Sequence, residues 1–290
     1  VSEQPSEIRA LSWNLFHGRD FPPDPALFTW RSRLLRMSER NATHVQVNRD
    51  LLPEFGEVIA SLDWDVALLQ ECPPHWREPL AALCRADALQ SLTSRNFLHP
   101  LRRAAAALNP DLIASNEGGS NLILIRPSRF GAIAEGRELV LTPGTRPERR
   151  TLAFARLERG LCVACLHASA GAAFRAEAER EVLAAAGAVR EWAGEAPVIF
   201  GGDFNLRPRR SEVFATLDER FGLGAPTAPD SIDHLLCRGL ETLSAATALE
   251  PAVRETRDRS GLLLRLSDHA PVTATFRVAA PSPLPTVARG

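Results

Sequence analysis

Short apolar runs alternate with longer amphipathic stretches from one end of the chain to the other. The runs at residues 8–15, 66–70, 121–126, 152–157, 161–167, 198–204, 232–237 and 272–278 are mostly rich in β-branched or aromatic residues and bounded by turn residues, a pattern that predicts β-strands. Helices are predicted over 48–62, 74–87, 172–192 and 209–220. In the third, Phe174, Ala178, Val182, Leu183, Ala186 and Val189 recur at helical spacing and build one apolar face. Both kinds of element run throughout with no linker and no shift in composition, so the pattern predicts a single α/β domain over residues 1–278.

Two stretches break the rhythm. Residues 17–47 hold Pro22-Pro23 and an Arg-rich piece, Trp30-Arg31-Ser32-Arg33-Leu34-Leu35-Arg36, and read as a long insertion without regular structure. Residues 254–265 form a second Arg-rich loop with Arg254, Arg257, Arg259 and Arg265. The last stretch, 279–290, carries Pro281, Pro283 and Pro285 and is expected to be a disordered tail.

Composition narrows the options. The 290 residues are 45% hydrophobic, enough to bury a large core. Thirty-four basic residues face 35 acidic ones, a net charge of -1, so contact with a polyanion must come from a local patch. No apolar run approaches the roughly 18 residues of a membrane-spanning helix. Val1 to Glu7 shows neither a basic start nor an apolar stretch, so no secretion signal is expected there. Every basic residue is Arg and Tyr is absent, which excludes a lysine Schiff base and a tyrosine nucleophile. Positive charge therefore comes only as the planar fork that suits phosphate.

The five cysteines are odd in number and scattered, which predicts a reducing compartment and a cytoplasmic location. Cys162 and Cys165 form a CxxC within an apolar run. On a strand that spacing points the two sulfurs to opposite faces, so they are expected in the core rather than at a redox or zinc site.

Chemistry gathers where the runs end. Residues 8–15 carry Asn14, the run 66–70 leads into Glu71, 161–167 ends at His167, and 198–204 delivers Asp203 followed by Asn205. Asp233 opens the run 232–237, and Asp268-His269 precede the run 272–278. Strand ends on a rigid sheet are where α/β proteins place their sites. Glu71, Asp203 and Asp268 are hard oxygen ligands, and Asn14 and Asn205 add neutral oxygens, a set suited to Mg²⁺, Mn²⁺ or Ca²⁺. His167 and His269 can move protons, and Asp233 can orient an imidazole. Such parts serve attack of water on a phosphoester. Singly, each also has an ordinary structural explanation: a turn Asp, a bridging Asn, or a Glu at a helix start before Pro73-Pro74.

The local words tip the balance. Gly201-Gly202-Asp203-Phe204-Asn205, Leu69-Gln70-Glu71, Ile232-Asp233-His234 and Ser267-Asp268-His269-Ala270-Pro271-Val272 resemble the signatures of the endonuclease/exonuclease/phosphatase family. Ser12-Trp13-Asn14-Leu15 looks like its first motif, and Leu166-His167 like the histidine of its deoxyribonuclease and sphingomyelinase branches. The resemblance implies two mixed β-sheets packed face to face and flanked by helices, a four-layer α/β (α+β) sandwich. It also implies a metal-dependent phosphoester hydrolase using Mg²⁺ or Mn²⁺. Glu71 would be the main metal ligand, with Asn14 beside it and Asp268 at the same ion. Asp203 would align or deprotonate the attacking water, and Asn205 would hold the phosphate. His269 would bind the scissile phosphate or exchange protons with it, and His167 would be a second imidazole on the phosphate or leaving group. Asp233 would orient one of these two histidines. Asn121, in Gly118-Gly119-Ser120-Asn121, matches a position that contacts phosphate.

There are departures from the pattern. Many nucleases of the family carry Asp two residues after the first Asn; here that position is Phe16, followed by His17. Cys72 stands where exonuclease III-like members carry Lys, which argues against abasic-site repair. The expected partner is thus a phosphoester substrate of open identity. Nucleic acid would bind through Arg31, Arg33 and Arg36 or through Arg254, Arg257 and Arg259. A phosphomonoester would need convergent Arg residues, and a phospholipid head group exposed apolar loops such as Phe21, Phe28 and Trp30. A non-catalytic binding or scaffold role is the alternative of another class, and the intact site motifs argue against it. The chain is expected to be a monomer.

Overall fold

Two mixed β-sheets lie face to face in the computed structural model, which describes residues 7–35, 37–93, 101, 104, 119–127, 130–145 and 148–278. The first sheet runs in the order β12 (Leu240–Ala248), β15 (Val272–Val278), β1 (Glu7–Asn14), β4 (Val66–Gln70), β6 (Ser120–Ile125), β5 (Asp87–Leu92). The second runs β11 (Asp233–Arg238), β10 (Val198–Asp203), β9 (Cys162–His167), β8 (Glu148–Leu157), β7 (Ile133–Thr145). Each sheet contains one parallel pair, β1 with β4 and β9 with β10, among antiparallel neighbours.

Side-chain alternation sorts the residues into three apolar layers. Ile8, Ala10, Val66, Leu68 and Ile123 of the first sheet meet Ala153, Ala155, Val163, Cys165 and Ile199 of the second. Behind the first sheet, Leu11, Trp13, Leu69 and Leu122 pack under helices α2 (Leu52–Ser61) and α3 (Arg77–Cys84) through Phe55, Ile59 and Leu80. Behind the second, Phe154, Ala164 and Phe200 pack under α4 (Arg175–Ala193) and α5 (Val213–Phe221) through Val182, Val189 and Leu217. Helices, sheet, sheet and helices make the expected four layers. Cys162 lies in the outer layer and Cys165 in the central one, so the CxxC pair does point to opposite faces. All five cysteines are free and buried, and burial pushes the Cys165 thiol up to about 12.

The insertion is the main correction to the sequence reading. Residues 17–35 and 37–47 carry regular structure, with a short helix α1 (Trp30–Leu35) and a hairpin of β2 (Glu39–Arg40) and β3 (Val45–Gln46). Its anchor is polar, which hid it from an apolar pattern. Buried Asp20 accepts from Gln46 Nε2 (3.4 Å) and Val47 N (3.2 Å), Ser32 Oγ donates to Gln46, and Asn48 Nδ2 donates to Ser32 O (3.0 Å). Asn41 is a turn residue here, its Oδ1 accepting from Thr43 N and His44 N.

The other Arg-rich loop is structured as well, with Arg257 and Arg259 exposed. It forms the hairpin β13 (Glu255–Arg257) and β14 (Leu263–Arg265), where Arg265 pairs with Glu255 (2.6 Å) and Arg257 Nη1 donates to Gly261 O (2.7 Å). Strands β5, β7 and β12 were also not foreseen, and part of the predicted helix 74–87 ends early: Arg85 turns left-handed (φ 50°) and Asp87 begins β5. The predicted tail 279–290, Arg36 and Gly118 lie outside the described residues. Among those described, no helix is long and apolar enough to cross a membrane.

Gly202 tests the packing of the central strands. Its φ is 135°, and a Cβ there would lie 1.9 Å from Leu166 O on the neighbouring strand. Backbone cannot move aside as a side chain would. Gly202→Ala is therefore expected to destabilise the protein by several kcal/mol or to prevent folding, read as loss of a cooperative thermal transition.

Candidate active site

Register brings the site together. In the second sheet Asp203 pairs with His167 on one side and Asp233 on the other. In the first, Asn14 pairs with Gln70, the residue before Glu71, and Ser12 pairs with Val272, so the 267–269 turn falls at the same end. That turn is fixed by Ser267 Oγ donating to Asn14 O (2.6 Å) and Trp13 Nε1 donating to His269 O (2.9 Å). Arg254 Nη1 also donates to Ser267 O (2.6 Å) and His269 O (3.0 Å). Arg254, expected as a possible nucleic-acid contact, thus clamps the site's backbone.

Asp203 is the hub. Asn14 Nδ2 donates to its Oδ2 (3.1 Å) and Asn205 N to its Oδ1 (3.0 Å). His167 Nε2 and His269 Nε2 approach the same Oδ2 at 3.6 and 3.7 Å. The side chain is buried, and burial together with the Asp233 charge raises its carboxyl above the ordinary range, against the opposing pull of His269 and of the hydrogen bonds from Asn14 and Asn205.

Of the two histidines, Asp233 contacts His269. Asp233 Oδ2 lies 2.8 Å from His269 Nδ1. Burial works against a charged His269, but the carboxylates of Asp203, Asp233 and Asp268 outweigh it and raise the imidazole above its ordinary range. His269 therefore holds its proton between two acids. His167 behaves oppositely. Burial, then Arg150, His269 and His17, drive it well below the usual histidine range, so it is neutral. Arg150 Nη1 contacts its Nδ1 at 3.2 Å, and a guanidinium can only donate. The His167 proton is thereby assigned to Nε2, facing Asp203 and Glu71.

Glu71 sits across the cleft with a left-handed backbone (φ 48°). Its Oε2 is 3.1 Å from His17 Nε2 and its Oε1 3.7 Å from His167 Nε2. Asp268 is the most open of the acids, with a third of its side chain exposed. Burial raises its carboxyl, His269 opposes that, and the charge of Glu71 raises it further. Phe16, His17, Glu71, Asn205 and Ser267 all have φ between 48° and 57° (Phe16 49°), so several non-glycine residues are held in a costly conformation around one point.

Three expected residues are engaged in ways the sequence did not show. Asn121 is wholly buried, and its Nδ2 donates to Thr151 O (2.7 Å), so this donor is turned to the other sheet and not to solvent. Asn205 Nδ2 donates to Ala168 O (3.1 Å). Asn14 likewise uses its Oδ1 to accept from Phe16 N (2.9 Å). His234 of the Ile-Asp-His word is structural: its Nε2 meets Leu206 O at 3.0 Å, and burial lowers it to about 4.

The residues that sequence reasoning did not assign are His17 and Arg150. Glu181 was missed too. It is buried on α4 and accepts from Ser169 N (2.7 Å) and Ser169 Oγ (2.9 Å), fixing the loop after His167. Its signal was an acid within the apolar stripe of that helix, between Ala178 and Val182 and Ala185.

Two groupings are candidates for a cation. Asp203, Asp233 and His269 place ligand-capable atoms within 4.8 Å of one another. His269 Nδ1, however, is occupied by Asp233, so this cluster fits proton handling better. Glu71 and Asp268 are hard oxygen donors, and the charge of Glu71 acts on Asp268, which fits a divalent cation.

The sequence model of the endonuclease/exonuclease/phosphatase family matches residues 11–269. Among solved structures, a family protein from Bacteroides thetaiotaomicron is similar at 16% identity over 96% of this chain and 97% of that one, TM-score 0.62. A mannosyl-6-phosphatase from the same organism is similar at 14% identity over 93% and 99%, TM-score 0.60. TDP2 of Caenorhabditis elegans, in a truncated form, is similar at 18% identity over 93% and 98%, TM-score 0.55. At these identities the structures share the fold alone. A search of curated proteins finds no match. With the family match covering nearly all of the described chain, the protein belongs to the endonuclease/exonuclease/phosphatase family, whose members are metal-dependent phosphoester hydrolases.

Proposed function

We propose that the protein is an Mg²⁺- or Mn²⁺-dependent hydrolase of phosphodiesters, of the nuclease type. The observation that carries this reading is the Asp233–His269–Asp203 chain, which ends beside Asn14, with His167 Nε2 between Asp203 (3.6 Å) and Glu71 (3.7 Å). Glu71 and Asp268, with Asn14, would hold the cation, which when bound supplies charge neutralisation on the phosphoryl oxygens.

The protein's own groups account for the rest. Asp203, raised by burial, is suited to take a proton from water near neutral pH. Asn14 and the Asn205 amide fix its two oxygens. Asp233 fixes His269 Nδ1, so the Nε2 hydrogen, 3.7 Å from Asp203 Oδ2, is the one that can donate to a phosphoryl oxygen or the leaving oxygen. His167, neutral and with its proton on Nε2, offers a second donor without adding charge.

Among the described residues, arginine placement favours a diester. A dianionic monoester calls for converging guanidinium groups. Arg150 reaches the site behind His167 and is engaged with that ring and with Glu148 (3.8 Å), while Arg254 is engaged with the 267–269 backbone. The free cysteines, all buried, support a cytoplasmic location as part of the same proposal.

A screen of plasmid DNA, RNA, phospholipids and phosphomonoesters with Mg²⁺ or Mn²⁺ tests the reading. The expected result is diester cleavage that chelator stops and added cation restores. Turnover confined to monoesters would replace the diester assignment, and hydrolysis that persists in excess chelator would refute the metal assignment.

A further inference from the structure

His17 has no role in the reading above, yet the fold holds it deliberately. It follows Phe16 and precedes Gly18, and all three are left-handed, with φ of 49°, 54° and 71°. Two successive non-glycine residues in that region are costly and persist where surrounding structure over-determines them. The turn is pinned by Phe16 N donating to Asn14 Oδ1 (2.9 Å), Gly18 N to Leu15 O (2.8 Å) and Arg19 N to Phe16 O (3.1 Å). The ring also has a prepared berth. A Cβ on Gly119 would lie 3.4 Å from His17 Cε1 and 3.0 Å from Thr93 Oγ1, so glycine at 119 keeps that space open.

The result of this turn is one distance. His17 Nε2 lies 3.1 Å from Glu71 Oε2, and the ring is one-fifth exposed at the mouth of the site. Two atoms on adjacent corners of an octahedral ion, each about 2.1 Å from it, are about 3 Å apart. The separation therefore suits a hydrogen bond without the ion and a shared ion with it. The other two imidazoles are not so placed. His167 is 3.7 Å from Glu71 Oε1 and faces it with the nitrogen that carries hydrogen, because Arg150 occupies Nδ1. His269 is held between Asp203 and Asp233.

We propose that His17 is a nitrogen ligand to the cation held by Glu71, making a mixed imidazole–carboxylate site that prefers Mn²⁺ to Mg²⁺; this rests on the assignment of Glu71 to the cation. Imidazole suits the transition metals, while Mg²⁺ takes oxygen donors and gives up its waters reluctantly. Removing His17 should therefore weaken Mn²⁺ far more than Mg²⁺. A residue that merely oriented Glu71 by a hydrogen bond would affect both ions alike.

The experiment is a titration of the full-length wild type, His17→Asn and Glu71→Gln with Mn²⁺, followed by electron paramagnetic resonance of the free ion. Mg²⁺ affinity is obtained by competition. Asn tolerates the left-handed backbone, and His17→Gly, which adopts it freely, is the second imidazole-free variant if His17→Asn fails to fold. The expected result is Mn²⁺ binding weakened by about tenfold or more and Mg²⁺ binding by less than about threefold, at an unchanged melting temperature. Imidazole-nitrogen modulation in the spin-echo spectrum of bound Mn²⁺ should diminish at the same time. Equal losses for the two ions, or no loss with an unchanged spectrum, would overturn the proposal. Glu71→Gln separates the two failures. If it weakens Mn²⁺ while the His17 variants do not, His17 is not a ligand and Glu71 keeps its role. If it leaves Mn²⁺ unchanged, the cation is not at Glu71 and both readings fall.

Discussion

Asp203→Asn is expected to lower phosphoester hydrolysis by about a hundred- to ten-thousand-fold, the usual range for losing an acid–base group or a preorganised charge. The variant keeps the shape and one acceptor oxygen. Asn14 Nδ2 and the Asn205 amide both donate to Asp203 now, so one of them would face an NH₂ group. That mismatch and the lost partner of His269 should cost about 1–3 kcal/mol and leave the protein folded. Rate against pH gives a second readout. Asp203 must be charged to act as base, and burial raises its carboxyl, so the rate should rise with pH at values above the ordinary aspartate range. His269 must be protonated, and its neighbouring acids raise it, so the rate should fall only above the ordinary histidine range. Asp203→Asn should abolish the rising limb in whatever activity remains. A folded variant with wild-type turnover would remove Asp203 from the chemistry.

Glu71→Gln is expected to weaken divalent-cation binding by about a hundredfold or more, beyond the ten- to hundredfold typical of outer-shell changes, because it removes a ligand's charge and keeps its volume. Isothermal titration with Mn²⁺ checks this. Hydrolysis should fall in parallel and recover partly at high cation concentration. An unchanged titration would shift the ligand role to the competing cluster of Asp203, Asp233 and His269.

The elements most legible in the sequence were the apolar strands of the two sheets. Every apolar run became a strand of the two sheets, with Val66–Gln70 and Val272–Val278 matching their predicted limits. The missed strands β5, β7 and β12 are sheet edges. Edge strands carry polar and charged residues that discourage further pairing, which erases the signal: β7 includes Glu135, Arg137, Glu138 and Pro143. Helix 48–62 was predicted too long because Asp50 and Pro53 delay its start, Asp50 Oδ1 accepting from Leu52 N (2.9 Å).

The site was legible where strand ends and local words coincided, as at Asp203, Asp233 and His269. Its wiring was not. Nothing in one dimension says that Asp233 reaches His269 and not His167, because that depends on which neighbour each strand takes. Arg150 precedes an apolar run among other charges, Glu148 and Arg149, and only the β8–β9 pairing sets it against His167. His17 lay in a stretch that looked irregular, and its left-handed turn leaves no pattern of hydrophobic spacing. Charge density likewise does not show that Arg254, grouped with Arg257 and Arg259 as a nucleic-acid contact, also donates to the 267–269 backbone.

The most direct test of the account is the hydrolysis of an activated phosphodiester, bis(p-nitrophenyl) phosphate, by wild type and Asp203→Asn with Mn²⁺, with excess chelator, and with the cation restored. The account predicts nitrophenol release by the wild type that stops with chelator and returns with Mn²⁺, and release at least about a hundredfold slower by the folded variant. Equal rates for the two proteins, or a wild-type rate indifferent to chelator, would contradict it.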